Sequence, residues 1–120
     1  MGEGSAAQEC VFCRIVRGEI GTEFLAENER AVAFRDLHPQ APTHVLVVPR
    51  RHLSALRELT EEDAELGISL LMLANEVAAR ENLLATGFRV LTNDGPDAGQ
   101  SVAHLHLHVL GGRPLSEGLG

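Results

Sequence analysis

Apolar residues recur first at helical spacing, then in short extended runs, and the change of period marks the elements of this chain. Val11, Phe12, Ile15 and Val16 share one helical face and stop at Gly18, which predicts one or two turns of amphipathic helix. Residues 22–27 and 30–36 read as strands, joined by the polar turn Glu27-Asn28-Glu29 into an antiparallel hairpin. Pro39 and Pro42 cannot donate to a ladder, so residues 37–43 form a loop. The run His44-Val45-Leu46-Val47-Val48-Pro49 is apolar at consecutive positions, as in a central strand buried on both faces. Thr60-Glu61-Glu62-Asp63 supplies a capping hydroxyl and first-turn acids, and a long helix starts there. Its apolar stripe is Leu66, Leu70, Leu73 and Val77, with Leu71, Ala74 and Ala78 alongside. Residues 87–92 make a fourth strand, 93–101 a glycine-bearing loop and 102–110 a fifth strand. The fold class is therefore α+β: a five-stranded antiparallel sheet, a short N-terminal helix and one long helix.

Composition narrows the function. At 120 residues and 44% hydrophobic, the chain suits a single domain over residues 10–120, preceded by a small, polar and disordered tail over residues 1–9. A formal charge of −7 argues against polymeric nucleic acid as a partner. No run is long enough for a membrane span and the tail is no signal peptide, so a soluble, cytoplasmic protein is expected. Cys10 and Cys13 stand too close for a disulfide framework and suggest a metal or redox pair.

The chemistry concentrates in "SVAHLHLHVLGG", residues 101–112. On a strand, His104, His106 and His108 share one face at steps of about 6.5–7 Å, while Leu105, Leu107 and Val109 face the core. Three imidazoles in register can surround a catalytic zinc. They can equally provide a nucleophile toward phosphorus beside a hydrogen-bond donor. The triplet alone does not choose. The preceding loop offers Asn93, Gln100 and Ser101 as donors, and Gly99 lets the backbone approach a phosphate. Asp94 and Asp97 would repel phosphate and are expected to point outward. Phe34 offers an apolar wall, and the Asp36 carboxylate can accept hydrogen bonds from a ribose diol. His38 and His52 read as loop or surface residues.

Three ordered motifs, "FRDLHPQAPTHVLVVPRRHLS", "GFRVLTNDG" and "GQSVAHLHLHVLGGR", resemble the histidine triad (HIT) family, most closely its Hint branch of nucleoside phosphoramidate hydrolases. That resemblance runs over nearly all of residues 12–113. It implies a homodimer whose two sheets join into one of ten strands, each protomer binding a purine nucleoside monophosphate or phosphoramidate. On the family pattern His106 is the nucleophile that carries a transient nucleotidyl group. His108 holds the phosphate, His44 and His104 support the site, and Asn93, Gly99, Gln100 and Ser101 match phosphate-side positions. Asp36 matches the ribose carboxylate, and Val11, Phe12, Ile15, Phe34 and Leu37 match the wall around the base. Water would then hydrolyse the phosphohistidine, with no catalytic metal.

Members with a Cys-x-x-Cys pair bind structural zinc, and the resemblance assigns Cys10, Cys13, His44 and His104 as its ligands. The chain departs from the family in having no tryptophan, which in many members shapes the leaving-group side near the C-terminus. Two rival readings differ in class: a zinc hydrolase built on the three histidines, and a non-catalytic AMP-binding regulatory dimer. A dinucleoside polyphosphate hydrolase of the same family is a further alternative.

Overall fold

Thr60 starts the longest element as its sequence requires. In the computed structural model, which describes residues 10–118, the Thr60 hydroxyl accepts the Glu62 N–H at 3.3 Å and the Asp63 carboxylate accepts the Thr60 N–H at 3.0 Å. The expected tail, residues 1–9, lies outside the described residues. This capping box opens a 3₁₀ turn, Glu61–Asp63, that runs into α2, Ala64–Arg80. Leu66, Leu70, Leu73, Ala74, Val77 and Ala78 are buried along α2. Leu71 is not: it is 52% exposed, beside exposed Ile68 and Met72. It lies about 140° around the helix from Leu66, beyond the stripe the sheet can cover.

The sheet is antiparallel throughout, in the order β1-β2-β3-β5-β4. Its strands are β1 Ala26–Glu27, β2 Ala31–Arg35, β3 Thr43–Pro49, β4 Phe88–Leu91 and β5 Leu107–Gly111. β1 is much shorter than residues 22–27, because residues 22–24 leave the ladder after Gly21, which takes a φ of +80°. The β1–β2 turn is closed by Asn28, whose Oδ1 accepts the Arg30 and Ala31 N–H groups at 3.0 and 2.9 Å. The Asn28 amide donates to the Ser69 carbonyl and ties the turn to α2.

β3 is buried at all seven positions, as its continuous apolar run predicts. One face, with Val45 and Val47, packs with Leu105, Leu107 and Val109 against Leu66, Leu70, Leu73 and Val77 of α2. The other face, with Leu46 and Val48, packs with Val32 and Phe34 against Phe12 and Ile15. Those two belong to α1, Val11–Val16, which covers that side of the sheet. Each fully buried Val or Leu contributes roughly 1.5–3 kcal/mol.

β5 is also shorter than expected, starting at Leu107 rather than 102. The register pairs Val47 with Leu107, so two residues further on Pro49 would oppose Leu105. Pro49 has no N–H to donate, and the Leu105 N–H turns to the Leu53 carbonyl instead, at 2.6 Å. The ladder ends there, and His104 and His106 lie on a bent segment before the strand. Among the described residues no helix is long and apolar enough to cross a membrane.

Candidate active site and metal cluster

The alternation of 104–109 survives the loss of ladder pairing. Leu105, Leu107 and Val109 enter the core against α2, and the three imidazoles lie on the other side. Their surroundings differ, and main-chain atoms decide which nitrogen of each ring carries the proton. His104 is fully buried, and its Nε2–H donates to the Pro49 carbonyl at 3.0 Å, leaving a lone pair on Nδ1. His106 donates from Nδ1 to the His104 carbonyl at 2.7 Å, leaving its lone pair on Nε2. His44 accepts the Gln40 N–H on Nδ1 at 3.0 Å, so its proton sits on Nε2. That proton is donated to His108 Nδ1 at 2.9 Å, and His108 therefore carries its own on Nε2. His108 Nε2 is buried without a partner among the described residues. An orphaned donor costs roughly 1–3 kcal/mol, which an incoming anion would recover.

His108 is pushed down to about 4, first by burial and then by the His106 and His44 rings, with Asp36 opposing them. It is neutral at pH 7 and presents a hydrogen bond. Between its ordinary value of 6.5 and about 4, the unfolded chain binds a proton here that the folded chain refuses. Stability is thus complete above pH 6.5 and is lost as pH falls toward 4. With the ring partly open to solvent, screening reduces the loss it contributes to on the order of 1–2 kcal/mol. Denaturant midpoints measured from pH 7 to pH 4.5 should show it, with a shallower slope for His108→Asn.

His104 turns its Nδ1 lone pair away from His106, toward Cys10 Sγ at 3.3 Å, Cys13 Sγ at 3.5 Å and His52 Nδ1 at 3.2 Å. Cys13 Sγ lies 3.2 Å from His52 Nδ1, so Cys10, Cys13, His52 and His104 form one four-donor group. Zn–S bonds of about 2.3 Å and Zn–N bonds of about 2.0–2.1 Å give tetrahedral edges of about 3.3–3.8 Å, close to these separations. The donor set therefore fits a zinc ion, with all four positions taken by protein. The Pro49 carbonyl holds the outer nitrogen of His104 as such a ligand requires. Burial, then the hydrogen bond with Cys10, pushes the Cys13 thiol up to about 11, so a metal must displace its proton.

His44 is not part of this group, and the ligand set expected from the sequence is corrected at that position. His44 opens β3 while the cluster gathers beyond its other end at Pro49, five residues and about 16 Å away. The residue missed is His52, read from the sequence as a surface position. Antiparallel register held the signal: the start of the histidine segment must lie beside the end of β3, where His52 follows, and His108 beside its start, where His44 stands. His44, His108 and Asp36 also bring possible ligands together. The His44–His108 contact at 2.9 Å is shorter than the tetrahedral zinc edge of about 3.3 Å and has hydrogen-bond length, so this trio reads as a hydrogen-bond relay. A zinc held by three converging triad histidines is likewise ruled out, because His104 faces the cysteines.

A cavity of about 370 Å³ opens between the imidazoles and α1, a size usual for small-molecule sites. His106, His108 and Ser101 line it. Val11, Phe12, Ile15 and Phe34 line the apolar remainder, with Asp36 and Leu37 at its side. Ile20, Thr22, Arg35, His38, Leu46 and Val102 also line it and were not anticipated there. Leu37 is 89% exposed, an apolar side chain at the rim with little to cover it. Asp36 Oδ1 accepts the His38 N–H at 2.8 Å, and Oδ2 lies 3.4 Å from His44 Nε2. His38 itself is exposed. A larger hollow of about 570 Å³, bordered by Thr43, Glu81 and Arg113, lacks convergent reactive groups, and its Glu81 is spent on Arg35.

Asn93, Gly99 and Gln100 do not line the cavity. Gln100 donates its amide to the Ser54 and Val102 carbonyls at 2.7 and 2.9 Å and accepts the Gly95 N–H at 2.9 Å. Its side chain thus fastens the loop. Gly95 and Gly99, at φ of +92° and +79°, bound the 3₁₀ turn Pro96–Ala98 that this arrangement encloses. Asp94 does not line the cavity either. It accepts the Arg57 main-chain N–H and Nε–H at 2.8 Å each, and the guanidinium holds its carboxyl below the usual range.

Comparisons with known proteins agree with this architecture. The HIT domain family model matches residues 17–115. The chain is 44% identical over 110 residues to an uncharacterized HIT-like protein of Synechocystis, covering 92% of this chain and 96% of the relative. It is 35% identical over 109 residues to the purine nucleoside phosphoramidase of Escherichia coli, covering 91% and 92% of the two chains. A HIT family hydrolase from Legionella pneumophila superposes with a TM-score of 0.90 at 39% identity, over 93% of this chain and all of that one.

Proposed function

Because this chain belongs to the HIT domain family and resembles its hydrolases, we propose that it cleaves the P–N bond of purine nucleoside 5′-phosphoramidates through a nucleotidyl-His106 intermediate. The observation that carries the reading is the pairing of a lone pair on His106 Nε2 with an unpartnered N–H on His108, in rings that line an apolar cavity. The relative from Escherichia coli, named for this activity, supports the choice of substrate class.

In this reading the base lies against Phe12, Ile15 and Phe34, and the Asp36 carboxylate accepts the ribose hydroxyls. His106 Nε2 attacks the α-phosphorus while the P–N bond breaks, and the amine leaves with a proton taken from solvent water, which the water that later attacks the phosphohistidine returns to solvent. Charge on the non-bridging oxygens meets the His108 Nε2–H, whose donor state is held by the Gln40–His44 relay, and the exposed Ser101 hydroxyl. Water then displaces His106 from phosphorus and releases the nucleoside monophosphate. Cys10, Cys13, His52 and His104 would hold zinc as a structural ion, fixing α1 to the sheet with no part in the bond changes.

A homodimer joined through β4 completes the proposal. β4 is an edge strand that pairs only with β5 among the described residues, and Val90 on it is exposed. A reducing, cytoplasmic setting suits the two free cysteines.

The test is a kinetic screen of adenosine and guanosine 5′-phosphoramidates beside dinucleoside polyphosphates, with sedimentation on the same preparation. Preferred turnover of phosphoramidates by a dimer is expected. Preferred cleavage of polyphosphates would replace the substrate class, and AMP binding without turnover would favour the regulatory reading.

A further inference from the structure

The helix that walls one side of the cavity also carries two of the four metal-cluster donors. α1 has six residues, too few to keep a helical shape alone. Cys10 caps it, accepting the Cys13 N–H on Sγ at 3.3 Å, and Cys13 lies within its first turn. Val11, Phe12 and Ile15 of the same helix line the cavity. Phe12 touches both systems: its ring meets His106 edge-on at 5.2 Å and the cluster ring of His104 at 5.9 Å. The other two donors, His52 and His104, come from the segments after β3 and before β5. A cation held by all four therefore clamps α1 to the sheet where the base wall stands.

We propose that the metal cluster is an effector site for nucleotide binding: zinc tightens the binding of a purine nucleoside monophosphate, and the nucleotide tightens zinc, because both fix the same short helix. This rests on the nucleotide reading given above. Linkage requires the two factors to be equal. No imidazole has to move. The ordering of α1 is charged once when both ligands are present, instead of once for each. Phe12 and Ile15 are 7% and 8% exposed, so apolar packing already anchors α1 in part. The coupling is consequently finite and not all-or-none.

Calorimetric titration of the full chain with AMP, zinc-loaded and chelator-stripped, tests this without turnover. AMP affinity should weaken by at least about tenfold on stripping and return when zinc is restored. His52→Ala, which removes a donor outside both α1 and the cavity lining, should reproduce the stripped value. Zinc affinity of the loaded protein, measured by competition with a chromophoric chelator, should rise by the same factor in saturating AMP. That second measurement decides the matter if the stripped protein unfolds. Equal AMP affinity in two folded forms, or zinc affinity indifferent to AMP, overturns the coupling and leaves the nucleotide reading standing. Failure of AMP to bind the zinc-loaded protein overturns both.

Discussion

His106→Asn is expected to lower turnover of an adenosine 5′-phosphoramidate by at least about 10⁴-fold, because a covalent nucleophile leaves no efficient substitute when removed. Asparagine is chosen over alanine for its shape. Its amide nitrogen can occupy the place of Nδ1 and keep the bond to the His104 carbonyl, now 2.7 Å long, while the reactive Nε2 disappears. The apolar wall and the His108 donor keep their own contacts, so AMP affinity should stay within about threefold. Rapid acid quench of the unaltered protein during turnover should recover a nucleotidyl adduct on His106, and the variant should give none. Turnover near the unaltered rate, or an adduct on another residue, would remove His106 from the mechanism.

Removing the metal should produce the largest change in stability. The purified protein is expected to contain about one zinc per chain, and Cys13→Ser or chelation should lower the thermal midpoint by more than about 10 °C. The figure follows from a loss of about 3 kcal/mol or more, at roughly 3–6 °C per kcal/mol for a chain of this length. Without the ion, the two Nδ1 atoms of His52 and His104 face each other 3.2 Å apart beside two thiols, in a partly desolvated pocket. One of those nitrogens must be a lone pair, since His104 has its proton on Nε2. Metal analysis with a melting curve on the same sample reads both halves of the prediction. Unchanged melting after complete stripping would reduce the cluster to a coincidence of four side chains.

Local chemistry made much of this fold legible. Thr60 and Asp63 announced the start of the long helix, the continuous apolar run announced β3, and the alternation of Leu105, Leu107 and Val109 chose the core face correctly. What stayed hidden depended on partners distant in sequence. His52 looked like a surface residue because nothing near it reveals that β3 delivers it to the two cysteines. The loop-fastening role of Gln100 was invisible because the Ser54 carbonyl that accepts its amide lies 46 residues earlier. The ion pair of Asp94 was invisible because its Arg57 partner belongs to another turn. Leu71 failed for a simpler reason, as a helix stripe is bounded by the width of the surface it meets.

The proton arrangement of the site has one further property. His104 takes its tautomer from the Pro49 carbonyl, His106 from the His104 carbonyl, and His44, hence His108, from the Gln40 amide. Apart from the His44 ring that passes this order on to His108, every anchor is a main-chain atom, which no substitution of the anchoring residue's side chain deletes, except proline at position 40. Mutational drift around the cavity can therefore alter which base or which amine is accepted without scrambling the order of lone pairs and N–H groups. The reactive half of the site is inherited from the path of the backbone, and its selectivity is free to be rewritten one side chain at a time.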